Sequence, residues 1–183
     1  MGYLLNLMAC PVTLALIVGN VVVFLLIQSG KVDYSKLASN YYHTFRRKQY
    51  YRLITASFTH QQWWHLLANM ASLYSLGTEI ESMCGSIKML ILYILATVIG
   101  KGLSLYYHHK KNDDYTFTLG ASVGICGLVG FEFLLVLRIF GLTAIRYYLT
   151  SIFSFVIMQF MPNINASGHV FGLIIGALFA FIF

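Results

Sequence analysis

The sequence predicts an all-α polytopic membrane protein, a bundle of six transmembrane helices with a long interfacial connection after the first. Two observations carry this prediction. Apolar residues make up 58% of the 183 residues and charged ones only 10%, and the mean hydropathy of +0.73 describes a chain that could not leave its surface in water. Six spans of ~20 residues would use roughly 120 residues and leave only short loops, so the whole of 1–183 reads as one membrane domain with no separate soluble part.

The spans read as 7–27, 62–83, 87–107, 121–140, 145–161 and 168–183. The first is free of charge from Leu7 to Ile27, and Pro11 sits in its first turn, where a missing N–H does little harm. It lacks a basic leader and is long enough to cross, so it reads as a retained span rather than a signal peptide. The connection from Gln28 to Thr59 interleaves Tyr34, Tyr41, Tyr42, Phe45, Tyr50 and Tyr51 with Lys31, Lys36, Arg46, Arg47, Lys48 and Arg52. Rings among cations suit a segment lying in the headgroup layer. The connection from Tyr107 to Thr118 is polar enough to be a plain surface loop.

Twelve Lys and Arg against six Asp and Glu give a net charge of +6. In a membrane protein this predicts interfacial anchoring and contact with anionic lipid, not nucleic acid. Cys10, Cys84 and Cys126 are odd in number and widely spaced, which predicts neither a disulfide framework nor a metal-binding pair.

Five polar residues stand out against this apolar background, because burying such groups in hydrocarbon costs free energy and marks functional candidates. His60, His65 and Asn69 open the second span, Ser122 the fourth and His169 the sixth. Spans alternate in direction, so all five share one membrane face, within about two or three helical turns of the interface. His65 and Asn69, four residues apart, project from one helix face. His60 is rotated away from them and is expected in a supporting role near the mouth.

Gly120, Gly124, Gly127 and Gly130 line the fourth span, and Gly168, Gly172 and Gly176 recur every four residues on the sixth. Small residues at this spacing let membrane helices approach closely. By itself the pattern only assists packing, but helices meeting on these faces would bring Ser122 to His169, the arrangement of an activated nucleophile and its base. Ser122 opens its helix, where unpaired N–H groups and the positive dipole end favour an oxyanion. Asn69 and His65 could add side-chain donors, although each taken alone could equally be a packed, satisfied polar residue.

At this point the residues resemble the rhomboid family of intramembrane serine proteases. His60-Gln-Gln-Trp-Trp-His65-Leu-Leu-Ala-Asn69 is similar to the family's HxxxxHxxxN motif, and Tyr51-Arg52-Leu53 resembles the Trp-Arg pair of its first loop, with Tyr for Trp. Gly77 and Glu81 fit the end of that span. Gly120-Ala121-Ser122 resembles the nucleophile motif, and His169-Val-Phe-Gly172 with Gly176 the last helix. The resemblance implies a Ser122–His169 dyad, an oxyanion site of His65, Asn69 and the Ser122 backbone amide, and support from His60, Gly120, Gly124, Gly172, Gly176 and Arg52. It further implies cleavage within or next to the transmembrane segment of a membrane-protein substrate, no metal and no cofactor. A monomer is expected to suffice. The family pattern is GxSG, whereas Val123 follows the serine here and glycine comes one place later, at Gly124.

Gly120-Ala-Ser122-Val-Gly124 also spells the GxSxG elbow of α/β-hydrolases, but that motif needs a strand before it and an acid positioned for a triad. Glu132, the one acidic residue between Ser122 and His169, lies ~15 Å along the same helix from the serine and cannot complete a triad. His169 is therefore expected to act as general base and then general acid. The alternative to an active peptidase is a silent relative that binds membrane helices for quality control or trafficking.

Two signals for orientation disagree. Nine Lys and Arg, counting Lys101, fall on the side of the five polar residues, against Lys88, Arg138 and Arg146 opposite. The positive-inside rule would turn the site toward the cytosol. The resemblance implies an extracytoplasmic site, and that is the orientation expected.

Overall fold

A computed structural model describes residues 7–143, 145, 146, 149 and 164–182. Five long helices form within them: α1 (Pro11–Gln28), α2 (Trp63–Cys84), α3 (Ser86–Lys110), α4 (Ser122–Phe140) and α5 (Ala166–Phe179). No strand occurs among the described residues, only an isolated bridge between Ser39 and Thr118. Helices α1, α3 and α4 are long and apolar enough to cross a membrane, and α5 is apolar but shorter. The protein is thus an all-α, polytopic, integral membrane bundle. The predicted fifth span, 145–161, falls almost wholly outside the described residues.

Local chemistry moves the helix ends from their predicted places. Helix α1 starts at Pro11, not at residue 7, because proline occupies the first helical position, where no N–H is needed. Helix α3 continues through Lys110. Residues 111–118 are then no plain loop, since they are tied to the first connection. Ser39 and Thr118 exchange backbone bonds at 3.1 and 2.7 Å, Tyr42 N–H donates to the Asp114 carbonyl at 3.0 Å, and Tyr41 stacks on His109 at 4.0 Å.

Burial is inverted relative to a water-soluble bundle. On α3, Ile87, Leu90, Ile91, Leu95, Ile99 and Leu103 face outward, while Thr97, Lys101 and Ser104 are wholly buried beside Met89, Leu92 and Tyr93. Hydrocarbon accepts the apolar face, so the polar groups find partners only inside the bundle.

The most extensive helix contact is between α4 and α5. A Cβ at Gly130 would strike the Leu173 carbonyl, one at Gly172 the Val123 carbonyl, and one at Gly176 the Gly127 carbonyl. Each of these glycines lets one backbone rest directly on the other. Not every glycine on α4 serves this contact. Gly124 faces α3, where a Cβ would meet Tyr93 and Thr97, and Gly120 faces the His65 ring.

Val123 is buried where three glycines leave room for it. Cβ atoms at Gly100, Gly168 and Gly172 would lie 2.8, 3.0 and 3.2 Å from its methyl carbons. The valine therefore fills a notch between α3 and α5, and it does not line the cavity beside Ser122.

At the opposite end of α2, buried Glu81 caps α1. Its carboxylate accepts from Val12 N–H at 2.9 Å, from Thr13 N–H and Oγ1 at 2.8 Å each, and from Ser86 Oγ at 2.6 Å. Two orphan donors of the first turn of α1 and two hydroxyls are satisfied by one side chain.

Glu81→Ala leaves those donors unpaired and is expected to cost about 3 kcal/mol or more, read as a lowered unfolding midpoint in detergent. Val123→Gly, although it restores the residue found in the family pattern, is expected to destabilise by roughly 1–3 kcal/mol because the three-glycine notch is left empty. The same unfolding measurement checks it, and a more stable variant would contradict this account of the packing.

Candidate active site

The chain reaches α2 in extended conformation, with Gln62 at φ −125° and ψ 138°, and turns helical only at Trp63. His60 therefore lies outside the helix, and helical periodicity does not govern where its ring points. Instead of sitting at the mouth, His60 is fully buried, with its Nε2 3.1 Å from Asn69 Nδ2 and its ring 4.9 Å from that of His65. The predicted peripheral position is corrected by this geometry. Asn69 and His65 do share a face of α2, and the Asn69 amide also donates to the His65 carbonyl at 3.0 Å.

Ser122 is the first residue of α4, preceded by Ala121 as cap. Among the described residues its backbone N–H has no acceptor, as expected in the first turn of a helix. The chain enters this turn through Gly120 at φ +98°, a left-handed conformation that a side chain would strain and for which the His65 ring leaves no room. Gly120 N–H donates to the Ala56 carbonyl at 2.8 Å, and Lys101 Nζ donates to the Gly120 carbonyl at 3.1 Å.

Ala56 is itself held by the first connection. Buried Arg52 donates from Nη1 to the Ser35 and Ala38 carbonyls and from Nε to Gln49 Oε1, each at 2.6 Å. The connection read from its sequence as a segment in the headgroup layer is also held by its own hydrogen bonds, and it reaches the serine through Ala56 and Gly120.

His169 stands in the first turn of α5. Asn165 caps that helix: its Oδ1 accepts from Gly168 N–H at 3.1 Å, Ser104 Oγ at 2.9 Å and Ser167 Oγ at 3.0 Å. The capped turn and the glycine contacts bring His169 Nε2 to 2.8 Å from Ser122 Oγ, across 47 residues of sequence. His169 is only 2% exposed. A cavity of about 290 Å³ opens over the pair, lined by Gln61, Gln62, Trp64, His65 and Asn165 with Ser122 and His169. Chemically this is a hydroxyl bonded to a base, next to unpaired helix N–H groups and facing a space large enough for a peptide side chain.

The structure thus brings Ser122, His169, His65, Asn69, His60 and Gly120 to one site, with Arg52 behind it. Gly172 and Gly176 pack against α4, and Gly124 packs on α3. Sequence reasoning missed Lys101 and Asn165. Lys101 is wholly buried within α3, although the charge count grouped it with the cations of the connections. An ionisable residue inside the predicted third span was itself the signal. Asn165, four residues before His169 at the head of an apolar run, fits the pattern of a helix cap.

The family model for the rhomboid domain matches residues 47–183. Among curated proteins, "Putative rhomboid protease YdcA" of Bacillus subtilis (strain 168) is 32% identical over 138 residues, covering 73% of this chain and 67% of that protein. Rhomboid protein 1, mitochondrial, of Saccharomyces cerevisiae is 34% identical over 79 residues, 43% of this chain and 23% of the relative. Rhomboid protease GluP of Bacillus subtilis (strain 168) is 31% identical over 137 residues, 72% of this chain and 25% of the relative. The chain therefore spans about two thirds of the first relative and about a quarter of the other two. With the family model extending from the first connection through the last helix, the chain belongs to the rhomboid family.

Proposed function

We propose that the protein is an intramembrane serine endopeptidase that hydrolyses peptide bonds within or next to transmembrane segments of other membrane proteins. The observation that carries this reading is the 2.8 Å bond between Ser122 Oγ and His169 Nε2 inside a membrane bundle. His169 takes the serine proton as Oγ attacks the scissile carbonyl, and the resulting imidazolium returns it to the leaving amine. Water then attacks the acyl-serine as His169 accepts its proton, and the imidazolium returns that proton to Ser122 Oγ as the acyl–oxygen bond breaks and the acid product leaves.

The developing oxyanion is assigned to the Ser122 N–H, His65 and Asn69. In the resting site the Asn69 amide is engaged by His60 and by the His65 carbonyl, so it must turn from His60 to reach the oxyanion. His60 is then the resting partner of an oxyanion donor. Charge builds up in a bundle interior of low dielectric, where such donors act more strongly than in water. A substrate helix has to unwind locally to present its carbonyl, which favours small or helix-breaking residues at the cleavage point. Residues 1–183 act as one domain and as a monomer, in contact with anionic lipid through the basic, aromatic first connection.

We infer an extracytoplasmic site, the orientation that the family resemblance implies. The opposing charge count weakens when structure is considered, since Lys101 and Arg52 are buried and committed to backbone carbonyls.

A fluorophosphonate probe is expected to label the wild type and to leave Ser122→Ala unlabelled. His169→Ala should label ~10²–10⁴-fold more slowly, and His65→Ala on the order of 100-fold more slowly. Cleavage of a transmembrane reporter should fall in parallel. A wild type that is neither labelled nor active, yet co-purifies with membrane helices, would replace this reading with that of a silent helix-binding relative.

A further inference from the structure

Lys101 has no part in the reaction as written above, yet it is a lysine with no exposed surface in the middle of a span. A buried ammonium is costly and is retained only where it has a partner. The hydrogen bond found for it among the described residues is to the Gly120 carbonyl, at 3.1 Å. That carbonyl lies just before α4, and no backbone donor reaches it among the described residues. A buried carbonyl left unpaired would itself be costly.

The same peptide unit is gripped elsewhere. Gly120 N–H is held by the Ala56 carbonyl at 2.8 Å, and the His65 ring closes over the Gly120 Cα, where a Cβ would lie 2.8 Å from Cε1. Gly120 at φ +98° is the hinge through which the chain turns into the helix that begins with Ser122. Of the groups that hold this hinge, Lys101 is the one contributed by α3, and Gly100 beside it receives a methyl of Val123.

We propose that Lys101 is a positioning residue: its ammonium clamps the Gly120 carbonyl and so fixes the turn from which Ser122 is presented to His169. The proposal rests on the peptidase reading for its kinetic consequence, but the clamp itself can be read without activity. A long flexible stem suits the task, since it crosses from α3 to the turn while its methylenes pack in the bundle. A displacement of Ser122 by about 1 Å is enough to cost ~10²-fold in rate.

The test compares full-length wild type, Lys101→Met and Lys101→Arg in one bilayer mimic by three measurements. Methionine keeps the apolar stem and removes the donor and the charge. Its fluorophosphonate reaction is expected to slow at least ~10-fold in the bond-forming step, with the saturating probe concentration unchanged. Its unfolding midpoint should change little, since the loss of the bond to the Gly120 carbonyl is offset by no longer burying the lysine head group. In hydrogen–deuterium exchange, residues 119–124 should exchange faster while α1 and the far end of α2 do not change. Arginine, which keeps a charged donor, should retain most of the rate and the slow exchange.

Wild-type labelling together with wild-type exchange in Lys101→Met would overturn the proposal, as would a rate loss matched by a lowered unfolding midpoint. Should the methionine variant fail to fold, Lys101→Gln, whose amide falls one bond short, gives the same reading. If wild type is not labelled at all, the peptidase reading fails, and the exchange of 119–124 alone decides the clamp.

Discussion

The contact of α4 with α5 is the constraint on which the site depends. Ser122 and His169 lie on different helices, 47 residues apart, and their 2.8 Å bond exists only if the two backbones come close enough for carbonyls to rest on α-carbons. In lipid no hydrophobic force drives helices together, so approach depends on van der Waals fit and interhelical hydrogen bonds. Gly130, Gly172 and Gly176 provide that fit, each by lacking a Cβ that would strike a facing carbonyl. Val123 obeys the same logic in reverse. The residue after the serine carries a side chain whose methyls occupy the space left by Gly100, Gly168 and Gly172, so it fits beside the bond.

Packing alone sets distance, not direction. Direction comes from polar side chains that satisfy backbone groups at the helix starts. Asn165 caps α5 one turn before His169, Glu81 caps α1 at the opposite end of the bundle, and the Gly120 peptide is held at both its N–H and its C=O. Arg52 does the same for the first connection by binding the Ser35 and Ala38 carbonyls. Helix ends leave donors and acceptors that a membrane interior cannot solvate, so the residues that meet them also set the angles at which the helices enter.

Helices α1, α3 and α4 were legible in the sequence because hydrocarbon imposes length and apolarity on a crossing helix. Ser122 and His169 were legible because span alternation alone puts them on one face. His60 was misplaced for a definite reason: helical periodicity was extended to a residue that precedes the helix, where the chain is still extended at Gln62. Lys101 was misread because a charge count treats every cation as a marker of sidedness, whereas a long apolar stem lets one turn inward. The glycines announced close packing but not with whom. Having no side chain to point, Gly124 and Gly130 look alike in sequence and face α3 and α5 respectively.

The inversion of polarity ties these features to chemistry. On α3 the lipid-facing side is Ile and Leu, and the buried side holds Thr97, Lys101 and Ser104. A polar group on this helix goes to the bundle interior, where Lys101 and Ser104 meet a backbone carbonyl and polar side chains, while Thr97 Oγ1 finds no hydrogen-bond partner among the described residues. The buried hydrogen bonds of His60 with Asn69, Lys101 with Gly120, and Ser104 with Asn165 are the outcome, and Asn165 among them also lines the cavity over Ser122. Low dielectric makes each of these bonds stronger and makes an unmade one more costly. The same scarcity of solvent that forces polar side chains together therefore also holds them in fixed orientations, which a serine and a histidine need if one is to activate the other.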